Sequence, residues 1–129
     1  MVNQLGLSTR WRPADVRSNH IPGQQILHPL PRRHPPLTRE EVEGHHRQTP
    51  AWDIRDDGHR IERTFRFKNF AEAFAFVQRV ADLAEAEGHH PDLCFGWGYA
   101  TVSLQTKKIK GLHENDFIMA AKIDRTASA

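Results

Sequence analysis

A single cysteine, Cys94, is all the thiol chemistry available to this 129-residue chain. That excludes an internal disulfide and a CxxC metal or redox site, and it is compatible with a reducing compartment. No apolar run approaches the roughly 20 residues needed to span a bilayer. The first 30 residues lack the continuous hydrophobic segment of a secretory signal. The expectation is a cytoplasmic protein with no membrane association. Acids are scarce at the start: residues 1–36 carry one acid against five arginines, a charge of +4, whereas residues 37–129 carry fifteen acids against thirteen bases, a charge of −2. The leader therefore supplies the positive balance of the whole chain. No RNA- or DNA-binding motif accompanies it, so nucleic acid is not an expected partner.

Apolar residues make up 38% of the chain, enough for a modest core in one domain. Six of the eight prolines fall in residues 1–36, in pieces such as "HPLPRRHPPL". That composition opposes both helix and central strand. It predicts an extended, partly disordered arm over 1–36 and a folded domain over 37–129. Thr38 and Glu41 form a capping-box pair, flanked by Leu37 and Val42, and predict a short helix over about 38–47. Residues 51–67 predict a hairpin turning at "DDGH", with Ile61, Phe65 and Phe67 on one face.

Residues 69–87 carry the clearest helical pattern, with Asn69 as N-cap and Gly88 as the stop. Phe70, Ala73, Phe74, Val77, Ala81 and Ala84 form one apolar stripe, read as the core face. Phe76, Val80 and Leu83 form a second stripe, read as an oligomer interface. A second hairpin is predicted over 92–106 around Gly98, with Ala100, Val102 and Leu104 facing one way. After the basic loop "KKIKG", His113 with Asp116 at N3 starts a last helix over about 113–126. The order is α-β-β-α-β-β-α. The fold class expected is α+β, a four-stranded antiparallel sheet with three helices on one face.

The chemistry-bearing stretch is "EAEGHHPD". His89 and His90 follow a helix C-terminus, where the macrodipole favours positive charge. Glu85 lies one turn earlier, and Pro91 stiffens the exit. Such a pair suits an acid catalyst near neutral pH. The plainer alternative is a polar cap whose rings bond the last helical carbonyls. No metal site is expected, because adjacent side chains diverge and no ligand spacing completes one. The other pair, His45 and His46, reads as a solvated helix end.

The run from Phe70 to "HHPD", followed by an aromatic, "GL-x-x-x-D" and "A-x-x-I-D", resembles the pterin-4a-carbinolamine dehydratases over residues 37–127. The resemblance implies dimers through sheets and tetramers through helices. It implies dehydration of a 4a-hydroxytetrahydropterin, which is substrate and not cofactor, so no cofactor is expected. It carries His89, His90 and Glu85 as the catalytic set and Pro91, Trp97, Lys107 and Asp116 as pterin-pocket positions. The family's third histidine, in a Thr-His step, is replaced here by Lys107. A lysine is protonated at neutral pH and offers no lone pair.

Three functions follow. The leading expectation is a non-catalytic or weakly active Rubisco assembly factor. It resembles the dehydratase-like proteins of α-carboxysomes, with the Rubisco large subunit as partner and a carboxysome association. The second is an active dehydratase in tetrahydrobiopterin recycling, with Lys107 tolerated. The third is a dimerisation module for a transcription regulator.

Overall fold

A computed structural model describes residues 26–29 and 35–128. The rest of the expected arm lies outside the described residues. Helix α1 spans Arg39–His46, and Thr38 caps it by the reciprocal pair with Glu41. Strands β1 (Asp53–Arg55) and β2 (Arg60–Arg66) form the first hairpin. Helix α2 spans Phe70–Glu87, capped by the Asn69 side chain. Strands β3 (Asp92–Gly96) and β4 (Tyr99–Leu104) form the second hairpin, and helix α3 (Glu114–Ser128) closes the fold. The four strands make one antiparallel sheet in the order β1-β2-β4-β3. Among the described residues no helix is long and apolar enough to cross a membrane.

Alternation sets the two faces of the sheet. Ala100, Val102 and Leu104 of β4 are fully buried, as is Ile61 of β2, and Phe65 of β2 is buried beside them. Their neighbours Glu62, Thr64, Thr101 and Ser103 line the opposite, more open face, where the Thr64 and Thr101 hydroxyls meet at 2.8 Å. The buried face joins Val42, Trp52, Phe76, Val80, Leu112, Phe117, Met119 and Ile123 in a single core. Arg63 also faces the helices, and its guanidinium is satisfied by Asp124 of α3 at 2.6 Å, which accepts from the Trp52 indole as well.

The core face of α2 draws on both expected stripes, taking Ala73 and Ala84 from the first and Phe76 and Val80 from the second. Phe76 and Val80 have no exposed surface. Leu83 is half-buried against the same core. These three residues therefore do not form a free interface. Phe70 and Phe74, expected inside, remain 48% and 44% exposed. The physical reason is rotation. Positions 73, 76, 80 and 84 recur at 3 and 4 residues as well as the other set does. Contact with β3, β4 and α3 selects between them.

Candidate active site

Three segments converge where α2 ends. Gly88 takes φ 67, a left-handed conformation natural to glycine, and its N–H donates to the Ala84 carbonyl. The His89 N–H donates to the same carbonyl at 3.2 Å. The chain then reverses into β3 through Pro91, so both imidazoles sit at the C-terminal end of α2. At the far end of β4, Thr106 leads into the single turn Lys107–Ile109. The start of α3 supplies the third segment.

The Asp116 carboxylate joins them. Its side chain is completely buried. Its Oδ2 accepts from the Thr106 hydroxyl at 2.7 Å and from the His113 backbone N–H at 3.0 Å. Its Oδ1 lies 2.7 Å from His89 Nε2. A buried carboxylate requires such donors. The His113 ring caps the same helix, its Nδ1 accepting from the Asn115 N–H at 3.0 Å. His113 and Asp116 thus perform the capping expected of them. The Asp116 carboxylate also anchors the imidazole of His89, 27 residues away.

His90 is held in the same manner but in water. Its Nε2 lies 2.5 Å from Glu85 Oε2, with both side chains largely exposed. Each histidine therefore donates its Nε2–H to a carboxylate, and Nδ1 is the nitrogen not committed to one. Gly88, His89, His90, Gln105, Thr106, Lys107 and Lys108 line a cleft of about 270 Å³, close to the lower end of ligand-pocket volumes, roughly 300 Å³. Lys107 lies on its rim, 3.3 Å from Asp92 in an exposed ion pair.

Seven site positions came from the sequence. His89, His90, Glu85, Pro91, Lys107 and Asp116 fall together. Trp97 does not. It sits 73% exposed in the turn joining β3 to β4, whereas Asp92 and Lys107 mark the other end of that hairpin. The β3 strand between them spans five residues, or about 16 Å. Gln105, Thr106 and Asn115 were missed as site residues, because nothing in their local spacing signals a partner across the fold.

The sequence profile described as pterin 4 alpha carbinolamine dehydratase matches residues 35–126. The chain belongs to that family. A relative from Aromatoleum aromaticum, named provisionally as a pterin-4-alpha-carbinolamine dehydratase, is 59% identical over 93 residues, covering 72% of this chain and 83% of its own. A transcriptional coactivator/pterin dehydratase from Brucella melitensis has a solved structure that is 34% identical. It superimposes with a TM-score of 0.67 over 71% of this chain and 98% of its own. A pterin dehydratase-like protein identified as a RuBisCO assembly factor in the alpha-carboxysome is more distant. It has 26% identity and a TM-score of 0.54 over 61% of this chain and 92% of its own.

These relations correct the leading expectation. Relatives at 56–59% identity carry the dehydratase name, whereas the assembly factor is a distant neighbour. The Rubisco assembly reading gave decisive weight to the loss of one histidine, and its carboxysome association rested on that reading alone. The structure retains a supported histidine pair and the buried carboxylate behind it.

Proposed function

We propose that this dehydratase-family chain is an active lyase that dehydrates 4a-hydroxytetrahydropterins. The observation that carries the reading is the pair of adjacent imidazoles on one cleft, each anchored through Nε2 by a carboxylate. Dehydration needs a proton delivered to the leaving 4a-hydroxyl and a proton removed from N5. The C4a–O bond then breaks, water departs, and the N5 lone pair closes the C4a=N5 double bond of the quinonoid dihydropterin.

His89 takes the N5 proton. Its buried Asp116 partner stabilises the imidazolium that forms, as a carboxylate behind a general base does. His90, anchored by the exposed Glu85 and open to solvent exchange, delivers the proton to the hydroxyl. Lys107 remains on the rim with Asp92 and carries neither proton. Pro91 fixes the direction in which the two rings leave the helix. The chain works as a homo-oligomer, in which a second copy covers the exposed rings of Phe70 and Phe74, which lean on the half-buried Phe95.

Stopped-flow absorbance of 4a-hydroxytetrahydropterin decay tests this reading. Catalytic amounts of the natural chain should accelerate the spontaneous dehydration. A decay rate independent of protein concentration would overturn the proposal.

A further inference from the structure

Residues 26–29 lie outside the family match, yet they are attached to the site at three points. Leu27 packs against the core. The His28 backbone is clamped at both its polar atoms by one side chain. Its N–H donates to Asn115 Oδ1 at 2.8 Å, and its carbonyl accepts from Asn115 Nδ2 at 2.7 Å. The His28 ring lies 3.8 Å from Glu114. Asn115 is buried and adjoins Asp116, and both ends of its amide are committed to this segment. A passive tail would not require such a clamp.

The segment creates a second cleft. Leu27, His28, Pro29, Glu87, Gly88, His89 and Asn115 enclose about 380 Å³. Gly88 and His89 line this cleft and also the one that holds His90 and Lys107. The two therefore adjoin at the residue that serves N5 in the proposed reaction. In a pterin, C6 is bonded directly to N5, so a substituent on C6 leaves the ring next to the atom that His89 serves.

We propose, resting on the dehydratase reading, that Leu27–Pro29 forms a strap that receives the C6 substituent of the substrate, with His28 as the specificity-determining residue. Its imidazole offers a donor and an acceptor to a hydroxylated chain. The cleft joins this polar group to the apolar edges of Leu27 and Pro29. A hydroxylated three-carbon substituent matches that mixture better than a methyl group does.

The experiment compares two substrates, 4a-hydroxytetrahydropterins bearing a dihydroxypropyl or a methyl group at C6. The full chain, His28→Ala and Asn115→Leu are assayed, with thermal melts to verify folding. Binding of the corresponding 7,8-dihydropterins is measured by calorimetry. The natural chain should favour the dihydroxypropyl substrate in kcat/KM, and His28→Ala should reduce that preference about tenfold, the equivalent of one hydrogen bond. The change should fall mainly in KM and in the binding ratio. Asn115→Leu should reduce it similarly by releasing the strap. Active variants with an unchanged substrate ratio would overturn the strap and leave the dehydratase reading intact. A chain inactive on both substrates would overturn the dehydratase reading. The binding ratio would then decide the strap separately, and equal ratios in natural chain and variants would sink it.

Discussion

Asp116→Asn replaces one oxygen of the buried carboxylate with an amine while preserving shape, so its consequences can be worked out atom by atom. Oδ2 accepts from two donors that have fixed positions, Thr106 and the His113 N–H. The amide oxygen of asparagine must occupy that place, which turns its NH₂ toward His89 Nε2. An NH₂ donates, so His89 must accept at Nε2 and carry its proton on Nδ1, the nitrogen that should receive the N5 proton. The variant therefore locks the wrong tautomer. The loss expected is about 10²–10⁴-fold in kcat, the range of a positioned acid–base group, with a smaller change in KM. Stability should also fall. Bonds to a charged acceptor are worth about 1.5–3 kcal/mol, against about 1 for neutral ones, so three weakened bonds suggest a net loss of roughly 2 kcal/mol. For a domain of this size that lowers Tm by roughly 8–16 °C. Stopped-flow kinetics and a thermal melt read the two effects. Thr106→Val, which removes one donor and leaves His89 its partner, should lose stability but retain most of the rate. Natural kcat in Asp116→Asn would refute the orienting role, and equal rate losses in both variants would reduce it to general destabilisation.

Lys107→His restores a third imidazole at the cleft rim and should raise kcat by about tenfold or more; a fall in rate would mean that the lysine assists the natural reaction. Phe74→Glu places a charge in the exposed aromatic face, where Phe74 and Phe95 stack at 5.9 Å. It should reduce the mass measured by light scattering to that of one chain while costing little stability, and an unchanged mass would locate the interface elsewhere. Burial raises the Asp124 carboxyl above its usual range, against the lowering effects of Trp52 and Arg63. The folded chain therefore holds that proton more tightly than the unfolded chain, whose carboxylates titrate near pH 4. Its contribution is full below that pH and is lost as pH rises through the higher folded value. Urea unfolding across this window should show a shallower fall for Asp124→Asn than for the natural chain, and parallel curves would contradict the assignment.

The elements whose signals are local could be read directly. Period-2 burial in Ala100, Val102 and Leu104, the capping box at Thr38 and the glycine stop at Gly88 all depend on neighbours within a few residues. The face of α2 did not. Phe74 and Phe76 are equally apolar, and only contact with β3, β4 and α3 selects Phe76 for the core. The histidine pair was legible because its chemistry and its place after a helix coincide. Its support was not, because the His89–Asp116 bond joins the ends of two helices across the fold. Asp116 was visible as the N3 partner of His113, and that one carboxylate performs both tasks. Trp97, a motif position carried over from the resemblance, falls in the turn at the other end of the hairpin, apart from the histidine pair within one chain. Lys107 lies on the cleft rim in an exposed pair with Asp92, which leaves the two carboxylate-anchored imidazoles intact.

The most direct test of the account compares the natural chain with His89→Ala, His90→Ala and the double variant in one stopped-flow series on 4a-hydroxytetrahydropterin. Acid and base act in the same transition state, so each single variant should lose about 10²–10⁴-fold in kcat, and the double variant should lose little more than the worse single one. Single variants that are folded and retain the natural rate would contradict the assignment of the reaction to this histidine pair.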